Sequence, residues 1–421
     1  MIEYGLLGAK LEHSCSPRLH SLLADYDYQL IPRATPDEAR EFLLSGQYRG
    51  VNVTIPYKQL ACQLCDELDE GSRITGAVNT VVNRGGRLYG YNTDLAGFRR
   101  MADCAGVDFA GKTVLILGSG GTSHTAQAAV KAAGAARVFV ASRHPSHGEL
   151  PYFQAEKQQG TQILINTTPV GMYPDNGSRP IRPDSFPALE AVLDVVYNPL
   201  RTRLISDALA LGLKAQGGLP MLVEQARAAA ELFTGEAIPR KTADAVYRRL
   251  LLENSNISLI GMPSCGKSTI GRKLARQMHR PFVDIDRELE AAEGCTITEY
   301  FRRHGEVRFR RCEAMHTARL GAVGGQIIAC GGGAVETPGN MDVLHQNGIL
   351  LFIDRPLDGL KVGGHRPLST SHEALALMEQ RRRPLYEKAA DIRVENSSDD
   401  FSTAMRAAEE AIYAYFGVKR P

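Results

Sequence analysis

Apolar positions along the chain fall into two rhythms: short, nearly continuous runs suited to buried strands, and longer stretches with helical spacing. The first hundred residues give strands over Glu3 to Leu7, Gly50 to Thr54 and Ala77 to Asn83, alternating with helical segments. A sharper pattern follows in TVLILG (113 to 118), a Gly-rich turn, an Ala-rich helix to about Gly134 and the run RVFVA (137 to 141), which together open a βαβ unit. QILINTT (162 to 168) and AVLDVVY (191 to 197) predict further strands, and Ala-rich helices from about Met221 to Leu252 close this half. At ENSN (253 to 256) the pattern restarts: strand ISLIG, a Gly-rich turn, a helix from Lys267, then strands in PFVDI, QIIAC and GILLFI. No internal repeat or low-complexity tract intervenes, so the chain reads as two successive α/β assemblies.

Composition narrows the choices. At 421 residues the chain exceeds what one hydrophobic core supports. Lys plus Arg number 49 against 47 for Asp plus Glu, a balance with no bulk attraction to nucleic acid or an anionic membrane. No run of about 18 apolar residues occurs, and MIEYGLLGAKLEHS lacks the basic and apolar regions of a signal peptide, so a cytoplasmic protein without a membrane partner is expected. The eight cysteines are scattered through a chain too long to need stapling, and reduced thiols are expected. Cys62 and Cys65 form a lone C-x-x-C with no second pair or histidine at zinc spacing, which argues for a structural role.

GSGGTSHTA (118 to 126) lies between a predicted strand and a predicted helix. Gly118 and Gly120 fit the dinucleotide fingerprint G-x-G-x-x-G, with Ser123 in the third glycine's place. Such glycines let backbone N–H groups and the helix N-terminus approach a pyrophosphate; the plainer reading is a tight turn. The next strand ends in Ser142-Arg143-His144, where NAD-binding folds carry an acidic residue. A guanidinium there suits a 2′-phosphate and favours NADP over NAD.

Around this turn stands a dense polar set: HSCSP with Ser14 and Ser16, NVTIPYK with Thr54 and Lys58, GAVNT with Asn79, GYNTD with Asp94, NTTPVGM with Thr167, DVVYNP with Tyr197, and GGLPMLVEQA with Gly218 and Gln225. In this order the motifs resemble the shikimate dehydrogenases, from Tyr4 to about Leu252. The resemblance implies NADPH-dependent reduction of 3-dehydroshikimate to shikimate. It implies that Ser14 and Ser16 bind the substrate carboxylate, that Thr54, Asn79, Asp94 and Gln225 meet the ring hydroxyls, and that Tyr197 is a further substrate contact. Lys58 is the expected proton donor, with Asp94 as the partner that orients it, the two titrating as a coupled pair. Gly118, Ser119, Gly120, Gly121, Thr122, Ser142, Arg143, Thr167 and Gly218 are the expected NADP contacts. Between Arg143 and Asn166 the chain is too short for the helix, strand and second helix often found in the family, so a trimmed cofactor domain is expected.

In the second half GMPSCGKS (261 to 268) matches G-x-x-x-x-G-K-[ST] after a strand and before a helix, the setting of a phosphate-cradling loop. ATP is the expected ligand of Gly261, Met262, Pro263, Ser264, Cys265, Gly266, Lys267, Ser268 and Thr269. Lys267 would neutralise the β- and γ-phosphates and Ser268 would ligate Mg²⁺. Cys265, beside Lys267 and a helix N-terminus, is expected to be a reactive thiol or else an inert small residue in a tight loop. DID with Asp284 and Asp286, GEVRFRRCE with Arg310 and Glu313, CGGGAV with Gly331, Gly332 and Gly333, GGHRPLS with Arg366, and RRRPLY with Arg382 then resemble the shikimate kinase signature, over 257 to about 416. That resemblance places Asp284 on the metal side and Asp286 on the acceptor hydroxyl. It gives shikimate's carboxylate to Arg310, Arg382 and the glycine run, and puts Arg366 in a short lid that reaches the transferring phosphoryl group. Without it, an Arg run on a helix reads as a solvated face and three glycines as a flexible loop.

The expected architecture is therefore α/β throughout: a dehydrogenase substrate-binding domain over 1–100 with 219–252 returning to it, a Rossmann NADP domain over 101–218, a linker over 253–256, and a P-loop nucleoside-monophosphate-kinase-like parallel-sheet domain over 257–421. Two other readings stand beside it. A catalytically idle sensor is disfavoured because Lys58, Asp94, Lys267, Asp286, Arg310 and Arg366 are all present. Reduction of quinate with NAD, or phosphorylation of another small polyol, shares the same carboxylate-binding logic. Oligomeric state has no signature in the sequence.

Overall fold

The computed structural model describes residues 2–11, 14–146, 148–361, 371–397 and 400–420. The chain divides into two compact units. One comprises Met1–Tyr197 and Thr202–Leu250, the other Asn198–Arg201 and Leu251–Pro421.

The first unit holds two sheets. Strands β1 (Ile2–Gly8), β2 (Tyr28–Pro32), β3 (Tyr48–Val53), β4 (Glu67–Leu68), β5 (Thr80–Arg84) and β6 (Arg87–Tyr91) form a mixed sheet in the order β2-β1-β3-β5-β6-β4. β1 runs parallel to β2 and β3, whereas β5 turns back antiparallel to β3 and pairs with β6 as a hairpin. Strands β7 (Thr113–Leu117), β8 (Arg137–Ala141), β9 (Ile163–Asn166), β10 (Ala191–Asp194) and β11 (Lys214–Gln216) form a parallel sheet in the order β11-β10-β9-β7-β8. β9 and β10 are buried along their whole length, as a parallel sheet covered on both faces requires. This doubly wound order reverses between β7 and β9, and ligands of such sheets sit beyond the carboxyl ends of the strands at that reversal. Between β8 and β9, among the described residues, only the single turn Tyr152–Ala155 is helical, so the cofactor domain is short where the sequence ran short.

The helix Asp94–Ala105 packs against the helix Leu219–Thr234, and Arg100 pairs with Asp244 on the helix Arg240–Asn254 at 2.6 Å. A division at residue 100 would cut the first of these helices. The expected four-residue linker is also corrected: helix Arg240–Asn254 continues through Asn254, and β12 starts at Asn256, so only Ser255 joins them.

In the second unit β12 (Asn256–Ile260), β13 (Phe282–Asp284), β14 (Ile327–Ala329), β15 (Gly348–Asp354) and β16 (Ile392–Glu395) are all parallel, in the order β13-β14-β12-β15-β16. The central strands are wholly buried. At the start of β12 the buried Asn256 donates to Gly321 O at 3.0 Å and accepts from Gln326 N at 2.8 Å, so its polar group is satisfied on both sides. Asn198–Arg201 joins this unit through Arg201 N, which donates to Gln346 O at 2.8 Å. All eight cysteines are unpaired. No helix among the described residues is long and apolar enough to cross a membrane.

Candidate active sites

In the first unit Ser14, Ser16, Thr54, Lys58, Asn79, Asp94, Tyr197 and Gln225 all line one cleft of about 500 Å³, together with Thr122 and Gly218. Lys58 opens the helix Lys58–Leu64 directly after the turn that ends β3, and Asp94 opens the helix Asp94–Ala105 directly after β6. The two meet with Lys58 Nζ donating to Asp94 Oδ2 at 2.6 Å, their side chains 22% and 11% exposed. Asn79 Nδ2 donates to the other oxygen, Oδ1, at 2.9 Å, while its own Oδ1 accepts from Thr93 N at 2.8 Å. The carboxylate is thus held from both sides, at a helix N-terminus that favours negative charge.

Ser14 Oγ donates to Ser16 Oγ at 3.1 Å at the entry of the helix Ser16–Leu23. Between them Cys15 shares a hydrogen bond with Tyr197, whose hydroxyl is pushed up to about 12 by burial and then by that thiol. Tyr197 as a residue is 39% exposed. The hydroxyl therefore stays a donor across the physiological range. Gln225 Nε2 donates to Leu222 O at 2.9 Å within its own helix.

Gly118, with φ 104, directly follows β7, and the helix Gly121–Ala132 begins three residues later. A Cβ at Gly118 would lie 2.8 Å from Thr167 Oγ1, so the left-handed φ and the close packing both demand glycine there. At Gly120 and Gly121 a Cβ would meet nothing within 4 Å: the loop is open on the side where a pyrophosphate would approach the helix N-terminus. Ser119 and Ser142 hydroxyls meet at 3.1 Å, joining the ends of β7 and β8. Thr167 Oγ1 donates to Leu117 O at 2.6 Å, and Gly218 passes so close to β10 that a Cβ would lie 2.0 Å from Val195 O. Arg143 is exposed and makes no hydrogen bond or ion pair among the described residues; Tyr152 is near enough to feel its charge.

In the second unit Pro263, Ser264, Gly266, Lys267, Ser268, Thr269, Asp284, Asp286, Arg310, Arg382 and the glycine run Gly331–Gly333 line a cavity of about 660 Å³. Lys267 Nζ donates to Gly261 O and Met262 O, both at 2.9 Å, and Ser268 Oγ donates to Asp284 Oδ2 at 2.7 Å. Cys265 is fully buried with Sγ 3.9 Å from Lys267 Nζ. That burial favours the second of the two expectations, a small residue filling a tight loop. Arg366 and the lid motif fall outside the described residues.

The three glycines are not slack. A Cβ at Gly331 would lie 2.4 Å from Glu313 Oε1 and 2.8 Å from Asp286 Oδ1, and one at Gly333 would lie 2.2 Å from Arg310 Nη2. Side chains there would displace the groups that face the cavity. Arg310 Nη1 donates to Glu313 at 2.9 Å, and that buried carboxyl is raised by desolvation although Arg310 opposes the shift. Within RRR, Arg381 is exposed but Arg382 is 2% exposed and turned to the interior, so the run is not a uniformly solvated face. Its Nε donates to Glu336 Oε2 at 2.7 Å; its Nη2 is 2.6 Å from the same oxygen but not directed as a hydrogen bond.

Some residues at these sites carried no sequence signal. Glu336 clamps Arg382 and also pairs with Arg381 at 2.6 Å across 45 residues of chain, which no local motif reveals. The buried Arg355 lines the nucleotide cavity, its Nε donating to Gly359 O at 2.8 Å. Asn52, in the same NVTIP motif as Thr54, ties Tyr28 at 2.8 Å to Thr80 at 3.0 Å beneath the first cleft; its place inside that motif was the available hint.

Fold and site geometry define the class: a dinucleotide-loop unit with a Lys–Asp pair, followed by a phosphate-loop unit with an arginine-lined acceptor cavity. Residues 6–81 match the family model of the shikimate dehydrogenase substrate binding domain, 218–249 that of the shikimate 5'-dehydrogenase C-terminal domain, and 263–412 that of shikimate kinase. The chain is 33% identical over 264 residues to the shikimate dehydrogenase (NADP(+)) of Clostridium perfringens strain SM101, covering 59% of this chain and 97% of that protein. It is 36% identical over 245 residues to the corresponding protein of Caldicellulosiruptor bescii, covering 52% and 85%. Among solved structures, that of the Thermus thermophilus shikimate 5-dehydrogenase with NADP(H) and shikimate superimposes with a TM-score of 0.54 at 32% identity, covering 59% of this chain and 99% of that one. Shikimate dehydrogenase 1 of Peptoclostridium difficile gives 0.55 at 32%, covering 59% and 98%. The chain belongs to the shikimate dehydrogenase family and carries a shikimate kinase domain behind it.

Proposed function

We propose that the chain is a bifunctional enzyme of aromatic biosynthesis, which reduces 3-dehydroshikimate to shikimate with NADPH and then phosphorylates shikimate with ATP to shikimate 3-phosphate. The observation that carries the first activity is that Lys58 and Thr122, the latter in the first turn after the dinucleotide loop, line the same cleft. A bound cofactor and a proton donor then face one substrate carbon. The open loop at Gly120 and Gly121 fits a pyrophosphate, and the unpaired Arg143 beyond β8 fits a 2′-phosphate. NADPH, when bound, supplies the hydride.

The chain's own residues do the rest. Ser14 and Ser16 hold the carboxylate at a helix N-terminus, and Tyr197 donates its hydroxyl hydrogen. Lys58 gives a proton to the oxygen that develops negative charge, and Asp94 keeps the ammonium aimed there. Because both amide hydrogens of Asn79 go to Thr93 and Asp94, Asn79 acts by positioning Asp94.

In the second unit Lys267 leaves its two carbonyl partners for phosphate oxygens. Ser268 and Asp284, already 2.7 Å apart, are the hard oxygen donors suited to Mg²⁺. Asp286 binds the acceptor hydroxyl and takes its proton; Arg310 and Arg382, fixed by Glu313 and Glu336, bind the carboxylate. Single substitutions test the assignment. Lys58→Ala should abolish reduction and spare phosphorylation, and Lys267→Ala should do the reverse. Loss of both activities in either soluble, folded variant would sink the two-site assignment.

A further inference from the structure

The helix Ile285–Glu293 ends beside the stretch Ile297–Gly321, which is interrupted at Gly305 and resumes as a helix carrying Cys312 and His316. Cys312 and His316 stand one turn apart on one face. Glu293, Cys312 and His316 offer a carboxylate oxygen, a sulfur and an imidazole nitrogen that all lie within 4.8 Å of one another. None of the three lines the nucleotide cavity, and the reactions above use none of them.

Two observations separate this cluster from a chance grouping. His316 is 8% exposed, and its Nδ1 is buried with no hydrogen-bond partner among the described residues. An unpaired buried polar atom is costly, and most are found satisfied. In addition, Cys312 Sγ already lies 3.3 Å from Glu293 Oε1. Zn–S bonds of about 2.3 Å and Zn–O bonds of about 2.0 to 2.2 Å make a tetrahedral sulfur–oxygen edge of about 3.5 to 3.7 Å, so a small opening of that pair, with loss of the thiol hydrogen it now shares, reaches coordination spacing.

We infer that Glu293, Cys312 and His316 form a site for a divalent transition-metal ion of the Zn²⁺ class. One sulfur, one nitrogen and one oxygen suit a borderline-soft ion and not Mg²⁺ or Ca²⁺, which take oxygen sets. Leu289, Tyr300 and Phe309 wall the site with Cys312, while the exposed Glu293 gives an ion entry from solvent and water completes the coordination. Binding replaces the thiol proton by the metal: Cys312 SH becomes a metal-bound thiolate and one proton is released per ion, so affinity rises with pH. The ion would tie the end of the helix whose first turn carries Asp286 to the helix that carries Arg310.

The test is a Co²⁺ titration of the chelator-treated full-length protein. One equivalent should bind, with a sulfur-to-cobalt charge-transfer band and the intense d–d bands of a four-coordinate ion, and Zn²⁺ should displace it. Cys312→Ser should lose the charge-transfer band. Glu293→Gln alters an exposed side chain and leaves the buried pair in place; it should weaken Co²⁺ by at least about 10-fold with kinase activity retained. Cys65→Ser should leave the titration unchanged, separating this site from the C-x-x-C. Absence of a thiolate band at millimolar Co²⁺, its survival in Cys312→Ser, or undiminished affinity in Glu293→Gln would overturn the inference.

Discussion

Asp194, at the carboxyl end of β10, is fully buried, and burial pushes its carboxyl up to about 7 even though Thr202 Oγ1 (2.6 Å), Asn166 Nδ2 (3.0 Å) and Val196 N (3.1 Å) all donate to it. In the unfolded chain the same group titrates near 3.8. Between these values the folded unit holds a proton that the unfolded chain has released. Unfolding then sheds a proton, so this group's contribution to stability falls as pH rises, complete below about pH 4 and lost above about pH 7. A rise from 3.8 to about 7 is worth about 4 kcal/mol over that window. Asp194→Asn keeps the shape and stays neutral at every pH. Relative to the variant, the wild-type first unit should lose about 4 kcal/mol between about pH 4 and pH 8. Because a chain of two units need not unfold in one step, the readout is amide hydrogen exchange in peptides covering β9 and β10, corrected for intrinsic chemistry. A gap between wild type and variant that does not change with pH would refute the reasoning.

Other substitutions probe the sites directly. Lys58→Met should lower kcat for reduction by about 10²- to 10⁴-fold, the worth of a general acid, while thermal unfolding stays close to wild type because Asp94 retains Asn79. Arg143→Ala should raise KM for NADPH by about 10-fold or more and leave KM for NADH nearly unchanged, as expected for one charge-assisted hydrogen bond; equal effects would show that Arg143 points elsewhere. Arg382→Lys keeps the charge but not the fork, and should raise KM for shikimate far more than KM for ATP. Ser268→Ala should raise the Mg²⁺ concentration needed for half-maximal phosphorylation without altering reduction.

Much of this was legible in the sequence because local chemistry and local structure agree there. RVFVA is β8 residue for residue, and the helix after the phosphate loop begins at Lys267, where the glycines give way to helical spacing. The hairpin of β5 and β6 is not evident from periodicity, since the hydrophobic pattern reads its two short arms as one strand and a loop. Its turn, Gly85-Gly86 with φ 62 and 87, carries the signal instead. Ala77 to Asn79 were expected in a strand but precede β5. Residues whose role is a long-range contact, such as Glu336 with Arg381 and Arg382, were not legible, because nothing near Glu336 in the chain distinguishes it from a surface carboxylate. The buried state of Arg382 follows from the same contact.

The central claim is that one chain performs both reactions in succession. Its most direct test supplies the purified full-length protein with 3-dehydroshikimate, NADPH, ATP and Mg²⁺, and follows cofactor oxidation and the phosphorylated product together. The account predicts shikimate 3-phosphate accumulating, after a lag for free shikimate, to one equivalent per NADPH oxidised and per ATP consumed. NADPH oxidation that ends at shikimate, or ATP consumption that does not depend on shikimate, would contradict it.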